Sequence, residues 1–244
     1  MSKCSEYWSS SHHPKSGETV ASVLGRQLPT PCVTMWSSLY HALVALLDNK
    51  AQLRTLSKKL DLTTFRDAEL EFLEEYRDII YPIATAINIL QKSTNGHYGE
   101  LLPTLTTVQK KLNAIQPKTR TSAVILDSVR EGLHKRFGTF LRMENEEALI
   151  ATCSHPFFKL RWTSKEDGRA SNLEDLLVRA AETCGFVPEP LPEEESFPAP
   201  EDSFFEFDVQ TPPPRTPQHH LRAEVYRYLE DQRHEMCMLH DFPP

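Results

Sequence analysis

A chain of 244 residues with 39% hydrophobic content is long enough to bury one sizeable core or a core with an appendage. Its 8 glycines against 18 prolines argue against a sheet-rich or phosphate-cradling fold, which needs glycine for turns and close backbone approaches, and so point to helix. The net charge of −7 is uneven: residues 188–244 carry 13 Asp+Glu against 4 Lys+Arg, while residues 1–187 carry 21 against 23, so the acidity belongs to the C-terminal part.

No window reaches 18 consecutive apolar residues, and "MSKCSEYWSSSHHPKSGE" has no apolar signal core. The expectation is a soluble, non-secreted chain without a membrane span. Five scattered cysteines, Cys4, Cys32, Cys153, Cys184 and Cys237, with no CxxC pair, suit free thiols in a reducing compartment and offer no structural zinc site.

After a polar leader at 1–30 with at most a short helix, Thr34 or Ser37 can cap a helix whose Leu39, Leu43, Leu46 and Leu47 form one apolar stripe. A shorter helix carries Leu53, Leu56 and Leu60. Thr64 with Asp67 three residues on then resembles a capping box opening a long helix over about 66–92. In that helix Leu70, Leu73, Tyr76, Ile80, Ile83, Ile87 and Leu90 keep helical spacing, and Pro82 predicts a kink. "KSTNGHYG" at 92–99 is a loop, and Pro103 suits the first turn of a helix with Leu105, Val108 and Leu112 inward. Thr121 or Ser122 starts the next helix, with Val124, Val129, Leu133, Phe137 and Phe140 on one side.

"ENEEALIATCS" is a further short helix, and "HPFFKLRW" at 155–162 is extended or turn-like because the residue before proline avoids helical angles. "SNLEDLLVRAAETCG" contains its own punctuation, with Ser171 and Glu174 as a capping box and Gly185 as the stop. Residues 188–217 hold nine prolines, eight acids and one arginine, the composition of a disordered or semi-rigid linker. Helical spacing resumes through Leu221, Val225, Tyr228 and Leu229. The expected fold class is therefore mainly α, an irregular multi-helix bundle at 31–187, with the linker at 188–217 and a C-terminal helix at 218–244.

Enzymatic motifs are missing: no GxSxG, no GxGxxG, no P-loop and no HExxH occurs. The GXXG spelling at 96–99 sits between helices rather than KH strands. His234, Cys237 and His240 are spaced so that the third turns off a shared helical face, and Glu193, Glu194 and Glu195 lie among prolines; neither group is poised for metal or acid–base chemistry. The chain is read as no enzyme and as having no cofactor.

Charge supplies the remaining signal. Residues 61–78 carry seven acids and two arginines, whereas 109–142 carry eight bases and two acids, so a polyanion would meet the second stretch.

Several stretches, in order, resemble hAT-superfamily transposases. "KCSEYWSSS" (3–11) and "LGRQLPTPCVTMWSSLYHALVALL" (24–47) are similar to the region of their tryptophan motif, with Met35 standing where relatives have arginine and Ser37 where many have asparagine. "EFLEEYRDIIYPIATAINILQ" (71–91) and "LLPTLTTVQKKL" (101–112) resemble their helical insertion domain. "LIATCSHPFFKLRW" (149–162) is similar to their "FKL" motif, and "EVYRYLEDQRHEMCMLHDFPP" (224–244) resembles the approach to their dimerisation region.

The resemblance implies an internal fragment of a BED-finger, RNase H-like transposase, without the two aspartates and one glutamate that hold metal. Catalysis is then not expected. What is left is weak, salt-dependent DNA binding or protein binding through 188–217, a nuclear location, and no oligomer from this fragment alone. An alternative is a helical protein-interaction module using the acidic helix or the "TPPPRTP" segment at 211–217. Candidate nucleic-acid contacts are Trp36, Lys110, Lys111, Arg130, Lys135, Arg136, Arg142, Lys159 and Arg161. Trp36 is favoured as the anchor of a helix N-terminus packing under Leu39 and Leu43 rather than as a DNA contact.

Overall fold

The computed structural model describes residues 1–32, 35, 37–91, 97–163, 170–185 and 217–242. Among these the chain is helical with no strand. It divides into two compact units, Met1–Glu144 and Asn145–Pro244, so the boundary falls inside the span 31–187 expected as one domain. The linker expected at 188–217 lies, apart from Pro217, outside the described residues.

The first unit holds α1 (Ser2–His12), α2 (Pro14–Leu24), α3 (Ser38–Asp48), α4 (Lys50–Leu60), α5 (Asp67–Leu90), α6 (Leu101–Ala114) and α7 (Arg120–Leu141). Residues 1–30, expected as a polar leader with at most a short helix, hold two helices. They form α1 and α2, and Cys4, Tyr7 and Trp8 of α1 are buried in a core with Val20, Leu43, Leu46, Leu53, Leu56 and Leu73. The low mean hydropathy of this stretch hid that pattern, because one α1 face is small and polar while aromatic rings on the other carry the burial. Trp8 donates its indole N–H to the Ala42 carbonyl (3.3 Å), and Tyr7 donates its hydroxyl to the Thr63 carbonyl (3.2 Å). Removing a ring so buried costs about 3–5 kcal/mol. Gly17 lets α2 close onto α1, since a Cβ there would sit 2.8 Å from the Ser11 carbonyl oxygen.

α5 borders two cores. Its Leu73 belongs to the first, and its Ile79 joins Val108, Leu112 and Leu126 of α6 and α7 in the second. It runs unbroken for 24 residues through buried Pro82; the departure from helical angles falls instead in α7, at Phe137 (φ −121°, ψ 18°). α5 begins at Asp67, and the acid that reaches back to its start is Glu69, whose carboxylate accepts the Arg66 N–H at 2.8 Å, rather than the expected pairing of Thr64 with Asp67. α7 begins two residues earlier than Ser122, capped by Thr119, whose hydroxyl accepts the Ser122 N–H (3.2 Å). Pro103 sits in the first turn of α6 as expected.

The acids of α5 act as internal ties. Glu69 accepts Lys3 of α1 at 2.7 Å, Glu74 accepts Lys50 of α4 at 2.8 Å, and Glu75 accepts the Lys118 N–H (3.1 Å) and the Thr119 hydroxyl (3.1 Å) ahead of α7. Each carboxyl is held below the usual range: Glu69 by the Arg66 N–H and then Lys3, Glu74 by Lys50, Glu75 by the Ser122 and Thr119 hydroxyls and nearby N–H groups.

The second unit holds α8 (Glu146–Cys153), α9 (Ala170–Thr183) and α10 (Pro217–Glu230), followed by a 3-10 segment at Met236–Asp241. Asn145 caps α8 by accepting the Ala148 N–H (2.8 Å). Gly185, at φ 75°, follows α9 in the left-handed conformation expected of its stop. α9 starts at Ala170, which places Ser171 inside the helix rather than at its cap. The C-terminal helix ends at Glu230 instead of continuing through 244.

Stability of the first unit should depend on acid in one direction. Because the three α5 carboxyls have folded values below 4.5, the unfolded chain binds more protons as the pH falls through that region. Their contribution is complete above about pH 5 and is lost as pH drops through the lowered folded values. Thermal melts by circular dichroism across acid pH should show a falling Tm for the full chain. The Glu69→Gln/Glu74→Gln/Glu75→Gln variant should start lower and fall less steeply; an identical pH slope in the two proteins would contradict these ties.

Candidate nucleic-acid interface

The basic stretch lies on α6 and α7, which are joined edge to edge by polar contacts as well as by the second core. The Arg130 guanidinium of α7 donates to the Leu112 carbonyl at 2.8 Å, near the C-terminal end of α6 where carbonyls lack helical partners, and also pairs with Asp127 at 3.2 Å. One turn further on, the His134 and Gln109 side chains meet at 3.2 Å. These stitches set the part of α6 that carries Lys110 and Lys111 beside the part of α7 that carries Lys135 and Arg136, and all four are exposed.

Lys111 also extends over the ring of Tyr81, 5.3 Å from its centroid, and Tyr81 is 44% exposed. A part-exposed aromatic ring beside exposed bases suits stacking and phosphate contact together. Neither Tyr81 nor His134 is singled out by the sequence pattern. Tyr81 lies beside Pro82 on an acidic helix, and only the packing of α5 against α6 reveals its place.

The other expected contacts separate by role. Arg130 is partly spent on α6, as described. Arg142 makes a two-pronged pair with Glu144 (2.7 and 2.8 Å), which raises its own pKa and lowers that of Glu144, so its charge is neutralised locally. Trp36 and Thr34 lie outside the described residues. Lys159 and Arg161 belong to the second unit. Arg161 donates to the Phe157 carbonyl (3.1 Å) with its guanidinium over the Phe157 ring, and it remains exposed.

Lys159, expected among the nucleic-acid contacts, is not presented at the surface. It is 2% exposed, its ammonium donates to the Asp231 carbonyl and lies 5.0 Å from the Tyr228 ring centroid. Its backbone takes the left-handed conformation (φ 47°) within the turn 155–162. Burial lowers its pKa, with Asp231 opposing that shift. Trp162 donates back to the Lys159 carbonyl at 2.9 Å, and Tyr228 donates to the Ser154 carbonyl at 2.6 Å. Lys159 therefore clasps the turn 155–162 to the end of α10. The signal was present in the sequence, since Phe157, Phe158, Leu160 and Trp162 surround it with apolar residues.

The clasp continues into the C-terminal segment. Arg233 pairs with Asp231 (2.6 Å) and with Asp241 (2.5 Å), and holds the Asp231 carboxyl at about 2. Burial pushes the Cys153 thiol up to about 12, which favours its protonated form at neutral pH.

Among the described residues no group of three or more His, Cys, Asp or Glu side chains is placed to hold a metal ion, and no helix is long and apolar enough to cross a membrane. No family model, curated protein or solved structure matches this chain. The likeness to hAT transposases therefore stands on the sequence stretches themselves.

Replacing Lys159 separates the two roles argued for it. Lys159→Ala should speed amide hydrogen exchange across 228–242 at least several-fold while leaving duplex affinity at low salt within about twofold of the parent. A large loss of duplex affinity with unchanged exchange would reinstate it as a contact.

Proposed function

We propose that this chain is a non-catalytic helical binding protein derived from an hAT-type transposase, and that its first unit contacts the phosphate backbone of nucleic acid through the α6–α7 edge. The observation that carries this reading is the set of exposed bases Lys110, Lys111, Lys135 and Arg136 on two helices locked together by the Arg130 and His134 contacts. Bases held on rigid neighbouring helices meet successive phosphates with little ordering cost, and the counterions they displace drive binding without sequence preference. Tyr81, under Lys111, adds a ring on which an unpaired base can stack.

The acidic helix is a poor alternative as a partner surface. Glu69, Glu74 and Glu75 are already bonded within the unit, so an external cation would have to displace those ties. The proline-rich segment at 211–217 lies, apart from Pro217, outside the described residues. The action proposed is binding alone, in a nuclear setting consistent with the transposase resemblance, and not strand cutting or joining.

A salt titration on random-sequence duplex tests this directly. Four phosphate contacts predict that log Kobs falls against log[salt] with a slope of roughly −3 to −4. Lys135→Gln/Arg136→Gln should shallow the slope by about 2 while the fold, checked by circular dichroism, is kept. With Mg²⁺ or Mn²⁺ the duplex should be recovered uncut. No binding at low salt, or an unchanged slope in the double variant, would contradict the assignment.

A further inference from the structure

We infer that the second unit carries a docking cleft for an amphipathic helical peptide whose apolar face is flanked by basic side chains. The cleft has a volume of about 410 Å³, within the span of roughly 300–1,000 Å³ that binding clefts occupy. Ile150 of α8, Leu177 and Ala181 of α9 and Leu221 and Val225 of α10 line it, with Phe242 at one end. Its walls are therefore three helices of the same unit. The small Ala180 and Ala181 side chains on α9 allow a further helix to approach closely, and apolar anchors at helical spacing are the usual means of filling such a groove.

Charge decides between an acidic and a basic partner. The described residues of this unit carry ten Asp+Glu against six Lys+Arg. The cations nearest the rim are already committed: Arg222 to Asp175 (2.7 Å) and Arg227 to Glu224 (2.8 Å). Two acids continue the lining faces outward, Glu147 three residues before Ile150 on α8 and Glu174 three residues before Leu177 on α9. An apolar floor lined by Glu224, in a unit with an excess of acids and with Arg222 and Arg227 already paired to carboxylates, selects a helix with lysine or arginine at its flanks. This surface is separate from the bases of α6 and α7, which belong to the first unit.

The test uses the full chain and two labelled helical peptides, one of leucine and lysine and one of leucine and glutamate, followed by fluorescence anisotropy. The basic peptide should bind at least tenfold tighter than the acidic one. Ala181→Arg, and separately Cys184→Arg at an exposed lining position just past the end of the same helix, should each weaken the basic peptide at least tenfold with circular dichroism unchanged. Glu147→Lys/Glu174→Lys should move the preference toward the acidic peptide in an Ala181→Arg-sensitive manner, a result that loss of folding could not produce.

Absent or equal binding of the two peptides would overturn the proposal. So would concentration-dependent self-association abolished by Ala181→Arg, which would make the cleft a face between copies of this chain. Competition at the cleft by a peptide of the sequence SFFEFDVQ (203–210) with no binding of the basic peptide would likewise overturn it in favour of the chain's own acidic, aromatic stretch. Duplex binding by the first unit is read in a different assay and can fail without affecting this one.

Discussion

The first unit depends on α5 being held from both ends and on both sides. Leu73 and Ile79 put one helix into two cores, so any rotation that improves one degrades the other. Apolar contact alone would allow such a rotation at modest cost, because dispersion is non-directional. The carboxylates of Glu69, Glu74 and Glu75 remove that freedom, since each meets a donor at a fixed distance from a different element: α1, α4 and the turn before α7. Exposed pairs of this kind add little energy individually. Their effect here is to set register.

That arrangement also sorts the charges. The sequence places an acidic helix and a basic helix in one unit, and two folds of this pattern are conceivable: acids against the basic helices, or acids tied to other elements with the bases left outward. The structure takes the second. Lys3 and Lys50 form ion pairs with α5, whereas Lys110, Lys135 and Arg136 remain exposed on α6 and α7. A helix pair with uncompensated bases generates a field that reaches about a Debye length into solvent, roughly 8–10 Å at ordinary ionic strength. The second unit solves its charge problem differently, with Asp231, Arg233 and Asp241 paired in series and Lys159 buried under Tyr228.

Helical class, the long helix after residue 66 and the helices after Pro103 and before Gly185 were legible because periodic leucines and strong punctuation coincide there. The first 24 residues were not. The apolar burial of α1 rests on Tyr7, Trp8 and Cys4 among serines and histidines, and the partners of the two rings, Ala42 and Thr63, are distant in sequence. Helix starts slipped by one to three residues wherever two hydroxyl or acidic residues competed, as at Thr119 against Ser122. Of the candidate contacts, Lys110, Lys111, Lys135 and Arg136 stand exposed. Lys159 does not, because a local turn and the distant Tyr228 together bury a charge that composition alone would leave in water.

Lysine-specific labelling with mass spectrometry, with and without a short random duplex at low salt, tests the outward-facing α6–α7 edge most directly. Lys110, Lys111 and Lys135 should be protected several-fold by the duplex, Lys58 and Lys59 of α4 should label equally in both samples, and Lys159 should stay unlabelled throughout. Equal labelling of Lys110, Lys111 and Lys135 with and without duplex, or protection spread evenly over α4 and α6–α7, would contradict the account.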